Sequence, residues 1–261
     1  SVISNSRKSV LFGTSALVCL ALAGPVMAAE YTIGSLSTDP NGGNCVAGGG
    51  PAGYMCGPND TINVTGAYTP SADSITTGGD GNGGIAGAGA SNKVNVESGG
   101  SITSSGSHIA IWHIGHNNIN TIIGSITAGT ASADTDAFGI GISNQGDNNI
   151  SNVSGTISTN GNGRNDYSAF GIWNKGNGNS TTISEDGSIA TGIFGTNAAG
   201  IFNDGNGNKT TMSGSITTAG DGALGIANIG VGNKTTVSGS IKTGDVVAGT
   251  GNEAYGIVNN G

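Results

Sequence analysis

Apolar residues along the chain follow a long repeat. An isoleucine recurs at intervals of similar length, at Ile85, Ile111, Ile142, Ile172, Ile201, Ile226 and Ile257. In the unit that starts at Ile201, a second and a third apolar position follow at Met212 and Ile216. The other five complete units keep the same or nearly the same offsets between their apolar positions. Residues around each apolar position alternate or are β-branched, and no 3.6-residue period lasts long enough for a helix. The pattern therefore predicts three short strands per repeat.

Units of this kind predict an all-β fold, a right-handed parallel β-helix with about 25–31 residues per turn. Stacking places equivalent residues above one another, so the core ladder is predicted to contain Ile142, Ile172, Ile201, Ile226 and Ile257. The same stacking predicts a column of Asn174, Asn203 and Asn228 whose side-chain amides bond from turn to turn. Glycine and asparagine at fixed offsets are expected to form the corners, where sharp bends need positive φ.

Variation in repeat length falls between the third isoleucine of one unit and the first of the next. Segments 128–139, 159–169 and 243–254 are therefore predicted to be loops that project from one corner of the solenoid. These loops carry acidic and aromatic residues that the constant part largely lacks. The candidate contact residues are Asp134, Asp136, Phe138, Asp166 and Tyr167.

The segment 1–29 has the three parts of a signal peptide. Arg7 and Lys8 form a positive start, an apolar stretch follows over residues 10–26, and Ala28 and Ala29 supply small residues for cleavage. This segment predicts export through the inner membrane.

Residues 30–84 fit the repeat less well and are predicted to be atypical N-terminal capping turns, with the β-helical repeats over 85–261. The capping region contains Cys45 and Cys56, separated by a short glycine-rich loop. Export permits a disulfide between them, which is the favoured interpretation. A metal site is the weaker alternative because no histidine lies nearby.

Composition narrows the possible functions. The chain has 51 glycines, only 9% charged residues and a formal net charge of −8. Removing the leader takes away two of the eight basic residues, which leaves 8 − 2 = 6 against 16 acidic residues, a net charge of −10. That charge disfavours nucleic acid as a partner.

Candidate catalytic groups are sparse. His108, His113 and His116 fall in one turn around Trp112, but no carboxylate lies close in sequence, so exposed contact residues are favoured over a metal site. Enzymatic β-helices that act on polysaccharides need clustered carboxylates or calcium with basic residues, whereas Arg164 is the one arginine beyond the leader. We therefore predict no enzyme activity and no cofactor. A secreted polysaccharide-acting enzyme remains the alternative.

A leader followed by glycine-, asparagine-, serine- and threonine-rich repeats with isoleucine columns, an acidic balance and few cysteines resembles the passenger domains of Gram-negative autotransporters. The resemblance implies a cell-surface or secreted β-helix that serves adhesion or self-association, with an unknown surface ligand or a second copy as its partner. It also implies a C-terminal outer-membrane barrel. The chain begins with Ser1 and stops inside a unit at residues 255–261, so we expect a fragment that ends before that barrel.

Overall fold

The structure is a computed structural model and describes residues 30–33, 46–47, 54–56, 59–68, 83–104, 108–129, 139–160, 169–192, 198–220, 222–244 and 254–261. The described residues form strands and turns, with no helix among them. No segment of the described chain therefore has the length and apolar character of a membrane-spanning helix. The predicted signal peptide (1–29), Cys45 and all five predicted contact residues lie outside the described ranges.

Three sheets form the solenoid, and each repeat contributes one strand to each sheet. Sheet I contains β2 (Val46–Ala47), β3 (Tyr54–Cys56), β6 (Gly83–Ala88), β9 (His108–Ile114), β12 (Gly139–Gln145), β15 (Phe170–Lys175), β18 (Ala199–Asp204), β21 (Leu224–Ile229) and β24 (Tyr255–Asn260). Sheet II contains β1 (Glu30–Ile33), β4 (Thr61–Val64), β7 (Lys93–Val96), β10 (Ile119–Ile122), β13 (Ile150–Val153), β16 (Ser180–Ile183), β19 (Lys209–Met212) and β22 (Lys234–Val237). Sheet III contains β5 (Ala67–Tyr68), β8 (Ser101–Ser104), β11 (Ser125–Ala128), β14 (Thr156–Thr159), β17 (Ser188–Thr191), β20 (Ser215–Ala219) and β23 (Ser240–Gly244).

Strand pairing between successive repeats is parallel, so the prediction of an all-β parallel solenoid is confirmed. The described exception is the short antiparallel pair of β2 and β3 at the start of sheet I. Equivalent isoleucines lie in register, as in the pairing of Ile142 with Ile172 and of Ile172 with Ile201. Stacked side chains of similar shape form the narrow interior, which suits a chain with few aromatic residues.

The isoleucine ladder of sheet I is buried over most of its length. Ile142, Ile172, Ile201 and Ile226 are each 0% exposed. Ile257 pairs with Ile226 but is 42% exposed, because β24 is the last described strand of the sheet and has a neighbour on one side only.

Corners between sheets I and II depend on positive φ. Gly146 has φ 139°, and a Cβ added there would lie 2.2 Å from the carbonyl oxygen of Gly115 one repeat below. Two positions later, Asn148 has φ 58°, a conformation that asparagine tolerates better than most residues. The fixed glycine and asparagine offsets therefore reflect both chain direction and the close approach of stacked corners.

Residues 59–68 belong to the repeat, although the sequence pattern suggested that it starts later. Ile62 and Val64 pair with Val94 and Val96, and both are buried. Asp60 occupies the corner position that Asn92 holds in the next repeat. Asp60 and Tyr68 stand where Asn92 and Ile102 stand in the next repeat, which hides the register from a search based on isoleucine and asparagine.

Four residues at the predicted loop boundaries belong to strands: Ala128, Gly139, Thr159 and Thr243. Thr243 lies in β23 (Ser240–Gly244). Ala128 and Thr159 are the last residues of β11 and β14, and both are buried in the interior. Gly139 is already the first residue of β12. The variable segments are thus shorter than predicted, because the strands of sheet III continue past their isoleucine.

Candidate functional site

The first polar cluster is an interior amide column, made of Asn144, Asn174, Asn203, Asn228 and Asn259 on successive strands of sheet I. In each of the first four, Nδ2 donates to the Oδ1 of the next asparagine, over 2.8, 2.8, 2.7 and 2.6 Å in chain order. The same Nδ2 atoms also donate to hydroxyls of sheet II, as from Asn174 to Thr181 over 3.0 Å. The column predicted from the sequence is therefore present, and it ties two sheets together as well as successive repeats.

A second asparagine row closes the corner itself. The side-chain Oδ1 of Asn149 accepts from the backbone N–H of Asn118, and Asn179 does the same for Asn149, each over 2.8 Å. These corner asparagines are buried, so the bonds satisfy backbone donors that water cannot reach. The Oδ1 atoms of this row therefore stabilise the corner, whereas Nδ2 of Asn149 and of Asn179 has no partner among the described residues.

His113 extends the interior amide column toward the N-terminal end. Its Nε2 lies 2.9 Å from Asn120 Oδ1, and the side chain is 0% exposed. Burial lowers the pKa of His113 to about 4, while the hydrogen bond to Asn120 opposes that effect. Space for the ring comes from Gly87, where a Cβ would lie 2.7 Å from His113 Nδ1.

The histidine cluster therefore differs from the exposed contact residues expected from the sequence. His113 is an interior residue, whereas the His116 side chain is 58% exposed and accepts a hydrogen bond from the backbone N–H of Asp147. Strand alternation and the corner separate these two rings. Within the described ranges, no group of three His, Cys, Asp or Glu side chains is placed to hold a metal ion.

The second cluster is an apolar strip on the outer face of sheet I, which we call the outward strip. Ile172 faces the core, so the next residue, Trp173, faces outward. Strand register places the members of this strip in two neighbouring rows. One row contains Trp112, Ser143, Trp173 and Phe202, and the other contains Ile109, Ile140, Phe170, Ala199 and Leu224.

Ring contacts show that the two rows share one face. The Phe170 ring centroid lies 5.7 Å from that of Trp173 and 5.1 Å from that of Phe202. Strict alternation would place Phe170 inward with Ile172, but Gly171 also faces the core, where a Cβ would lie 2.2 Å from Ile189 Cγ2. Two consecutive inward residues shift the alternation and turn Phe170 outward. Both tryptophans of the chain lie in this strip.

Three polar atoms within the outward strip lack partners among the described residues. They are Trp112 Nε1, Ser143 Oγ and Trp173 Nε1, and all three atoms are buried. They lie on three adjacent strands, with Ser143 in register between the two tryptophans. Ser143 is 0% exposed and is the one polar residue of its row, whereas both indole rings are partly exposed. Other buried atoms of the described chain also lack partners, among them Oγ1 of Thr159 and Thr191, but those lie inside the solenoid. The three atoms of the strip differ because they lie on the outer face of sheet I.

Polar and charged side chains border the strip along one side. Gln145, Lys175 and Asp204 lie in register on adjacent strands. Lys175 Nζ lies 5.7 Å from the centroid of the Trp173 ring, within the range of a cation–π contact. The outward strip therefore combines partly exposed aromatic rings, three buried polar atoms without partners among the described residues, and a polar border.

Sequence reasoning looked for contacts in the variable loops and missed the outward strip. Its signal was present in the position after the first isoleucine, which holds tryptophan at 112 and 173 and phenylalanine at 202. These three residues lie in the constant part of the repeat, where few aromatic residues were expected. The predicted contact residues Asp134, Asp136, Phe138, Asp166 and Tyr167 lie outside the described residues, so they stay a prediction.

Comparisons with known proteins identify no relative. No protein-family model matches the chain, and neither the curated proteins nor the solved structures contain a significant match.

Proposed function

We propose that this chain is an exported, surface-facing β-solenoid that acts by binding, either to a surface ligand or to further copies of itself. The observation that carries the proposal is the outward strip, where aromatic side chains gather on the outer face of one sheet. The aromatic side chains of this strip and Leu224 are partly exposed, whereas Ile109, Ile140 and Ala199 are buried between them. Apolar side chains that reach the surface in one cluster mark interaction sites. A rigid solenoid suits this role because its stacked strands hold such side chains at fixed spacing.

A binding role also agrees with the chemistry of the polar interior. The buried amides of the interior column bond to one another and to hydroxyls of sheet II. Such groups stabilise the fold and are not accessible to a substrate. We therefore propose a non-catalytic function, with no cofactor.

The autotransporter-like interpretation belongs to the same proposal. The leader pattern of residues 1–29 supports export, and the parallel solenoid is compatible with a passenger domain. We propose the cell surface or the extracellular space as its location, with an outer-membrane translocator barrel encoded with it. Fractionation of cells that express the complete gene tests the location, and recovery of the protein in the cytoplasm would contradict it.

Adhesion and self-association are tested with the purified chain from residue 30 onward. We expect it to bind immobilised cell-surface material or to form oligomers in sedimentation experiments. A monomer that binds no surface would contradict the proposal. Turnover of a panel of acidic polysaccharides would instead support the enzymatic alternative.

A further inference from the structure

We propose that the outward strip binds a neutral saccharide chain across Trp112, Ser143 and Trp173. This inference rests on the proposed binding function and names the class of ligand. The strip continues over adjacent strands at a spacing of about 4.8 Å, so the two tryptophans lie about 10 Å apart along the solenoid. A repeating surface of this kind fits a repeating polymer that lies along the axis.

Hydrogen-bonding capacity points to a ligand rich in oxygen atoms. An indole N–H donates only, and a serine hydroxyl both donates and accepts. Trp112 Nε1, Ser143 Oγ and Trp173 Nε1 are each without a partner in the described part of the chain. A saccharide supplies hydroxyl and ring oxygens for these groups. Its C–H faces also pack on the electron-rich faces of indole rings.

Backbone pairing argues against a peptide as the ligand. The central strand β12 is bonded to β9 on one side and to β15 on the other, so its N–H and C=O groups are used within the sheet. A peptide that binds by strand addition needs a free sheet edge. Recognition on this face must come from side chains alone, and those side chains are mainly aromatic and apolar.

Charge favours a neutral saccharide over an acidic one. Lys175 lies beside Trp173, and Asp204 lies in register with Lys175 on the next strand, so this border carries one charge of each sign. The whole chain carries a formal net charge of −8, which repels polyanions. The site therefore offers hydrogen-bond donors without an excess of positive charge.

Binding requires a local rearrangement, because the three polar atoms are covered in the unliganded chain. Both indole rings are partly exposed, so rotation about their side-chain torsions brings Nε1 to the surface. Ser143 then becomes accessible between the two rings. Since the chain has only two tryptophans and both lie here, intrinsic fluorescence reports this change directly.

The primary experiment applies the purified chain from residue 30 onward to a glycan array that contains neutral and acidic glycans. We expect binding to at least one neutral glycan and a change in tryptophan fluorescence when that glycan is added in solution. Binding to acidic glycans alone, or to none, would overturn the inference.

Variants then locate the site. Trp112→Ala and Trp173→Ala are each expected to weaken binding of that neutral glycan by about tenfold or more, as for a tryptophan at the centre of a binding site. Trp112→Phe keeps an aromatic plane but removes the N–H, so its loss should be smaller. Ile150→Ala is the matched control, because Ile150 is a 37% exposed residue of sheet II. Equal affinity of the wild type and both alanine variants would place the ligand elsewhere.

Ser143→Ala separates binding from a structural role. Removal of a buried hydroxyl without a partner in the described structure should raise Tm, and it should also weaken glycan binding because the ligand loses a hydrogen bond. A substitution that only perturbed the fold would lower both. A rise in Tm with unchanged affinity would remove Ser143 from the site.

Failure of this inference is distinguishable from failure of the proposed function. Adhesion to cells that persists unchanged in Trp173→Ala would retain the binding role and exclude the outward strip. Absence of both adhesion and self-association in the wild type would contradict the proposed function itself.

Discussion

Two rows of side chains on opposite faces of sheet I differ in how their polar atoms are satisfied. On the inner face, Asn174 accepts from Asn144 and donates to both Asn203 and Thr181. On the outer face, Trp173 Nε1 and Ser143 Oγ have no partner among the described residues. Both rows follow the same strand register, so stacking by itself does not explain the difference. The inner amides from Asn144 to Asn228 are bonded to one another, and in this row His113 Nδ1 at the N-terminal end lacks a partner among the described residues. The proposed ligand would use the groups of the outer row.

The largest expected effect is a difference in the free energy of unfolding between substitutions at two neighbouring residues, one on each face of sheet I. Ile201→Ala should lower the free energy of unfolding by about 2–5 kcal/mol, because Ile201 is fully buried in the core ladder. Phe202→Ala, at the next position on the outer face, should cost only about 1–2 kcal/mol, since its ring is partly exposed. Chemical denaturation of both variants checks this. Equal losses would mean that the outer face contributes as much to stability as the core.

The next effect is a loss of stability at low pH that comes from His113, at the N-terminal end of the inner row. Burial lowers the pKa of His113 from 6.5 to about 4, so the unfolded state takes up a proton at higher pH than the folded state. Stability from this group is fully present above pH 6.5 and falls by about 3 kcal/mol as the pH drops toward 4. Unfolding of the wild type and of His113→Asn at pH 7 and pH 4 measures the difference.

His113→Asn should lose less stability on acidification than the wild type, because asparagine does not titrate. His116→Asn is the control, since the His116 side chain is 58% exposed. An identical pH dependence in the wild type and His113→Asn would show that His113 is protonated in the folded chain.

A smaller effect comes from breaking the interior amide column. Asn174→Ala removes three side-chain hydrogen bonds inside the solenoid and should cost about 2–3 kcal/mol. Asn206→Ala is its matched control at an exposed corner, where the side chain accepts from the Val231 N–H, and should cost about 1 kcal/mol or less. Thermal unfolding compares the two variants. A lower Tm for Asn206→Ala than for Asn174→Ala would contradict the structural role of the interior amide column.

The smallest effect has the opposite sign. Ser143→Ala should stabilise the unliganded chain by about 1 kcal/mol, because it removes a buried hydroxyl that lacks a partner in the described structure. Calorimetry in the absence of glycan measures this gain. A loss of stability would show that the hydroxyl has a partner, and the contrast between the two faces would then disappear.

Much of the fold is predictable from the sequence because in-register parallel stacking repeats the same residue at the same place in every turn. The nearly constant offsets between apolar positions identified the strands of all three sheets, and the asparagine spacing identified the amide column. The strands of a unit are not predictable in this way where its residues depart from the consensus. Residues 59–68 were missed because Asp60 takes the place of an asparagine and Tyr68 takes the place of an isoleucine.

The sequence alone determined the length of the repeat, the register of the strands and the identity of the stacked columns. Tertiary structure decided what meets across the corners and which face a residue occupies. His113 could be assigned to the interior only once closure of the repeat placed it beside Asn120. Phe170 could be joined to Trp173 and Phe202 only once the inward Gly171 had shifted the alternation. The physical reason is that side-chain periodicity is a local property of strands, whereas burial and hydrogen-bond partners depend on all three sheets together.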